Sequence, residues 1–184
     1  MRTISAANGD ERTRPARTTG ADGDLVWYFA YGSNLDHDRF RERVGEWAGH
    51  ERARLEDYEL RFSGEVTSEG GGGAIIEPAP GRRVHGGVYR ITSAQLEELD
   101  RMELGDRLDP NRRGERREVT LRCPAFPLRV SVYLVPRPKV YRAPSAAYLA
   151  HIVKGLRDFG YDDSVIREVQ EIARREPGTG AAPR

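Results

Sequence analysis

The 184-residue sequence contains one cysteine, two lysines, two methionines and no apolar run of membrane-spanning length. A lone Cys123 excludes an intrachain disulfide and a cysteine-built zinc cage, which fits a reducing cytoplasm. A membrane helix needs about 20 predominantly apolar residues, so the chain reads as a soluble protein with no membrane partner. Thirty basic residues against 29 acidic ones leave a net charge of +1, which removes the net-charge case for a nucleic-acid partner. Lys139 and Lys154 are the only lysines, so the other 28 basic residues are arginine. That bias reads first as coding preference spread over a solvated face. The histidines His37, His50, His85 and His151 are widely separated and none has a partner at i, i+4, so no metal or other cofactor is expected. No repeat of 20 to 50 residues is visible, against a solenoid or propeller.

What is present fits one domain. Residues 1–24, with Arg2, Arg12, Arg14 and Arg17 among small and polar residues, are expected to be a disordered tail without a signal-peptide core; residues 175–184 are expected to be a second one. The folded unit is placed at 25–174. It opens with the apolar run Leu25 to Tyr31, a strand buried on both faces, which stops at Gly32 and leads to a short helix over residues 36–44. Residues 51–62 read as a strand with Leu55, Tyr58, Leu60 and Phe62 inward. The glycines Gly70 to Gly73 form a flexible loop before a short strand, Ala74 to Ile76; Pro78, Pro80 and Gly81 turn the chain into another, Val84 to Ile91. Adjacent Gly86 and Gly87 imply close backbone approach. Thr92 and Gln95 form a capping box opening a helix that ends near Glu103. Two strands follow, Glu118 to Cys123 and Leu128 to Val135. Helices over Ser145 to Phe159, closed by Gly160, and Asp163 to Arg174 complete the domain. The elements predict an α+β fold, a small mixed β-barrel of about six strands flanked by three or four helices.

The chemistry begins at Tyr31-Gly32-Ser33-Asn34, where a buried strand meets a helix start. Free amide N–H groups at such a corner favour an anion. Read alone, the tetrapeptide is better explained as a turn at Gly32 with Ser33 or Asn34 as cap. Glu103, read alone, is better explained as a solvated carboxylate at a helix C-terminus.

Taken in order, Tyr28-Phe29-Ala30-Tyr31-Gly32-Ser33-Asn34-Leu35, Gly72 to Ile76, Gly86-Gly87-Val88-Tyr89 and Leu99-Asp100-Arg101-Met102-Glu103 resemble the γ-glutamylcyclotransferase family. Ser131 to Leu134, Pro144 to Tyr148, Gly155 and Gly160-Tyr161 continue the likeness, which spans about residues 25–173. The resemblance implies an enzyme that cyclises a γ-glutamyl amide, amine or peptide to 5-oxoproline and releases the free amine, without a metal, on a small β-barrel. It implies Glu103 as the general acid/base and Tyr28, Phe29, Ala30, Tyr31, Gly32, Ser33, Asn34 and Leu35 as the binder of the γ-glutamyl group. Tyr133 and Tyr148 are implied to line the site, with Tyr148 the ligand contact. It implies a cytoplasmic protein with a small γ-glutamyl substrate and no nucleic acid, as monomer or homodimer.

Two positions depart from the family pattern. Leu104 replaces a usual glycine, and a tyrosine that often opens the next strand has no counterpart among Arg112 to Glu115. Both bear on substrate range, as does the Arg-rich segment 107–117. They also motivate the alternative of a non-catalytic γ-glutamyl or small-molecule binder with the same fold.

The reaction needs the substrate's α-amine to attack its own γ-carbonyl, and proximity supplies much of the acceleration. That amine is an ammonium at neutral pH, its reference pKa being about 8, so a base must take its proton and return it to the departing nitrogen. Glu103 is expected among Met102, Leu104 and aromatics at the negative end of its helix. The N–H groups of Gly32 and Ser33 are expected to face the developing oxyanion.

Overall fold

The structure, a computed structural model, describes residues 24–104, 114–122, 127–135 and 141–175. Residues 1–23 and 176–184 of the two expected tails, Cys123, and most of the Arg-rich segment lie outside the described residues. Five strands and four α-helices follow in order: β1 (Leu25–Ala30), α1 (His37–Val44), β2 (Gly49–Val66), β3 (Gly72–Thr92), α2 (Ser93–Leu104), β4 (Glu115–Arg122), β5 (Pro127–Leu134), α3 (Ala146–Asp158) and α4 (Asp163–Arg174). The sheet order is β2-β3-β1-β5-β4, and the edge strands β2 and β4 approach each other, so the sheet curls into a half-barrel. Every pairing is antiparallel except β1 with β5, which meet in parallel at Tyr28 and Ser131. Among the described residues no helix is long and apolar enough to cross a membrane.

The two short strands expected at 74–76 and 84–91 are one strand, β3. Pro78 and Pro80, read as a turn, lie inside it, opposite a break in β2 where Asp57 takes a positive φ of 62°. The Asp57 carboxylate accepts from the Gly81 amide at 2.9 Å, so the irregularity bends both strands together. It also explains why Leu55 and Tyr58, three apart, share a face with Leu60 and Phe62. The loop before β3 is not free either. Gly71 bridges Pro144, the Gly72 amide donates to Ala143 at 2.9 Å, and a Cβ on Gly71 would meet Ser145 N at 2.3 Å.

The helices are capped as their sequences direct. Asp36 accepts from the Asp38 and Arg39 amides, Ser145 from Tyr148, and Asp162 from Ser164 and Val165. Thr92 and Gln95 satisfy each other's amides, and Gln95 Nε2 also donates to the Val44 and Glu46 carbonyls, joining the end of α1 to the start of α2. On α4, Ile166, Val169 and Ala173 form the buried stripe.

Three glycines set the packing distance around β1. A Cβ on Gly86 would fall 2.4 Å from the Ala30 carbonyl, and one on Gly87 2.1 Å from the Phe159 ring. On α3, Gly155 lies against the turn after β1, where a Cβ would sit 2.2 Å from the Leu35 backbone. Gly155→Ala is therefore expected to push α3 off that turn and destabilise the domain by about 1–3 kcal/mol, the usual range for overpacking. Urea denaturation measures it; an unchanged midpoint would mean that the helix and turn part without strain.

Candidate active site

Strand β1 carries its whole C-terminal half into the core: Phe29 and Ala30 are fully buried, and Tyr28 nearly so. The chain then turns through a single 3-10 turn, Ser33–Leu35, into α1, with Leu35 N donating to Gly32 at 3.0 Å. The turn is tied from below: Tyr89 Oη donates to the Asn34 and Leu35 carbonyls at 3.0 and 3.1 Å. Phe40 of α1 stacks on Tyr89 at 4.0 Å and on Tyr28 at 5.9 Å. Tyrosines and a phenylalanine thus fix where the first turn of α1 points.

The side chain of Asn34 reaches across to Glu103, 69 residues later, in the last turn of α2. Asn34 Nδ2 donates to Glu103 Oε1 at 3.1 Å and to Tyr28 Oη at 2.9 Å. Arg43, near the end of α1, donates to the same Glu103 oxygen at 2.8 Å and to Asn34 Oδ1 at 2.5 Å. Glu103 and Arg43 border a cavity of about 290 Å³ that is also lined by Tyr31, Ser33, Arg39, Glu69, Ala74, Leu104, Tyr133 and Tyr148.

Most of the expected site residues meet here, in unequal ways. Tyr31, Ser33, Glu103, Tyr133 and Tyr148 line the cavity; Gly32 lies beneath Tyr148, whose hydroxyl would be 3.1 Å from a Cβ on it. Asn34 and Tyr28 reach the cavity's carboxylate through hydrogen bonds. Phe29, Ala30 and Leu35 are core residues outside the lining. The Tyr133 hydroxyl is committed to Asp100 Oδ1 at 2.9 Å, and Asp100 to Arg116 at 2.6 Å, while Tyr31 Oη donates to the Tyr133 carbonyl at 2.7 Å. Tyr148 differs: its oxygen accepts from the Ala74 amide at 3.1 Å. Burial raises the pKa of Tyr28, Tyr31, Tyr133 and Tyr148 above the ordinary tyrosine value, although the hydrogen bond from the Ala74 amide opposes the shift at Tyr148. All four are therefore O–H donors at neutral pH.

The setting of Glu103 also departs from expectation. Leu104 is buried, but Met102 is 39% exposed, and the closest groups to the carboxylate are polar. Arg43, Arg39 and Glu69 were not singled out as site residues from the sequence. Arg39 and Arg43 stand four apart on α1 and so share one helix face, a spacing that was open to view. Arg39 pairs with Glu69 of the glycine-rich loop at 2.7 Å, which makes that loop a cavity wall. Among the described residues no group of three or more histidine, cysteine, aspartate or glutamate side chains is placed to hold a metal ion.

Residues 28–150 match the sequence profile of the family described as gamma-glutamyl cyclotransferase, AIG2-like. Gamma-glutamylcyclotransferase from Bos taurus is 40% identical over 86 residues, 45% of this chain and 46% of that protein; the Homo sapiens protein of the same name is 38% identical over 89 residues, 46% and 47% of the two chains. The chain thus spans about half the length of the curated relatives it matches. A solved structure titled gamma-glutamyl cyclotransferase superposes with a TM-score of 0.71 at 25% identity, over 87% of this chain and 94% of that one. An uncharacterized protein from Homo sapiens superposes with 0.66 at 25% identity, over 86% and 92%. With the profile covering more than half its length and the half-barrel shared, the chain belongs to the gamma-glutamyl cyclotransferase, AIG2-like family.

Proposed function

We propose that the protein is a γ-glutamylcyclotransferase that converts a γ-glutamyl amide, amine or peptide to 5-oxoproline and the free amine. The observation that carries this reading is the Glu103 carboxylate meeting the Asn34 side chain at 3.1 Å beside a cavity. Glu103 takes a proton from the substrate's α-ammonium, and the freed amine attacks the γ-carbonyl carbon, closing the five-membered ring. The carbonyl π electrons move to oxygen. When they return, the bond to the leaving nitrogen breaks and Glu103 gives that nitrogen the proton it took. The ring nitrogen, left with two hydrogens and a positive charge by the attack, sheds one as the lactam forms. The departing amine takes it up to leave as an ammonium, so charge and protons balance.

Tyr148 suits the oxyanion. The Ala74 amide already donates to its oxygen, so its own hydrogen is free to face the cavity and meet charge as it develops. The turn Tyr31 to Leu35 holds the glutamyl chain folded for attack, and Tyr28 acts through Asn34. Leu104, buried on the cavity wall where the family pattern has glycine, narrows the space for the departing amine.

The test is incubation with a panel of γ-glutamyl dipeptides and γ-glutamylamines, followed by assay for 5-oxoproline. Product from at least one member is expected. Tight binding by calorimetry with no product from any would overturn the enzymatic reading in favour of a binding module.

A further inference from the structure

Both hydrogen bonds to Glu103 fall on one oxygen. Asn34 Nδ2 and Arg43 Nη1 converge on Oε1, and among the described residues none donates to Oε2. The same Arg43 nitrogen donates to Asn34 Oδ1, so its two hydrogens serve the amide and the carboxylate together. This contact dictates the orientation of the Asn34 amide. With Oδ1 facing a guanidinium, Nδ2 must direct its hydrogens to Glu103 and to Tyr28 Oη. A flipped amide would set an NH₂ group against the cation and an oxygen against the carboxylate.

We propose that Arg43 is a positioning residue that makes the two oxygens of Glu103 unequal: Oε1 is anchored, and Oε2 is the oxygen that takes the proton from the α-ammonium and returns it to the leaving nitrogen. The proposal rests on the cyclotransferase reading and adds to it the working atom and its support. A carboxylate that must act twice in one turnover, on two different nitrogens, gains from a plane that does not rotate between the steps. Charge-assisted hydrogen bonds supply that restraint. A glutamate end in the last helical turn, with about a third of its side chain exposed, would otherwise sample several rotamers. Misplacement by about 1 Å costs on the order of a hundredfold in rate.

Kinetics of the full chain test this, with wild type, Arg43→Met and Arg43→Lys compared on the best substrate of the panel. Arg43→Met is expected to lower kcat by about a hundredfold with little change in KM, and Arg43→Lys, which keeps the cation and N–H donors, to recover part of the loss. An unchanged kcat would overturn the proposal. So would a raised KM at wild-type kcat, which would make Arg43 a binder of a substrate carboxylate. Should Arg43→Met fail to fold, Arg43→Gln carries the same expectation. Isotope-edited infrared spectra, taken as differences against Glu103→Gln, read the anchor without turnover. The splitting between the two carboxylate stretches of Glu103 is expected to change when Arg43 is replaced, and an unchanged splitting would overturn the proposal. Wild-type protein inactive on the whole panel would instead sink the cyclotransferase reading, while the spectra still decide the anchor.

Discussion

Glu103→Gln is expected to fold normally and to lower kcat for 5-oxoproline release by about 10² to 10⁴, the range for a positioned acid/base. The substitution isolates the proton. Glutamine has the same reach, and its amide oxygen can accept from Asn34 and Arg43 as Oε1 does, so the corner around the turn stays assembled. The remaining end becomes an NH₂ group that cannot take a proton from an ammonium. KM should therefore stay near the wild-type value while kcat falls, the pattern of an interaction needed in the transition state. Product formation measured beside the circular-dichroism melting curve separates this outcome from unfolding. Full turnover by the variant would remove Glu103 from the reaction and return it to the role of a helix-terminal carboxylate.

Asp36→Ala should produce the largest loss of stability. Asp36 caps α1 and is almost completely buried, yet its carboxylate also meets Lys154 Nζ and His151 Nδ1, each at 2.7 Å. The size of the effect follows from what its removal leaves behind. Lys154 is 43% exposed and keeps Asp38 and Asp158 as partners, so no buried charge is orphaned. What goes is a helix cap, typically about 1 kcal/mol, and hydrogen bonds to a charged group worth about 1.5–3 kcal/mol. A loss of about 3 kcal/mol in urea unfolding is expected, a large share of the roughly 5–15 kcal/mol of an ordinary domain. Burial alone would raise the Asp36 pKa, but bonds from Lys154, His151 and the Arg39 amide outweigh it and hold the group below its usual value. A lowered folded pKa means that this contribution is complete above the unfolded value of about 3.9 and fades as pH falls from there through the lowered one. Wild type should thus lose stability between pH 4 and pH 3 more steeply than Asp36→Ala; parallel curves would refute the assignment.

Local chemistry made several elements readable. The apolar run from Leu25, the Thr92 and Gln95 box, and Gly160 at the end of α3 act within a few residues of themselves. The bent β2–β3 hairpin was not readable in the same way. Prolines in β3 look like chain turns until the compensating kink at Asp57, more than twenty residues earlier, is known. In the site, the turn after β1 and Glu103 were legible as positions through the resemblance, but their surroundings were not. Arg43 resembles an ordinary cation at a helix end, and only the packing of α1 beside α2 brings it to a carboxylate 60 residues away.

The double grip of Gln95 on the Val44 and Glu46 carbonyls lies outside the cavity, yet it couples the two helices that carry Arg43 and Glu103. Anyone reshaping the cavity by trimming Leu104 or Met102 would therefore be enlarging a room whose door frame is hung from a bracket on the outer wall. The tolerance of such redesigns for error depends on leaving that bracket in place.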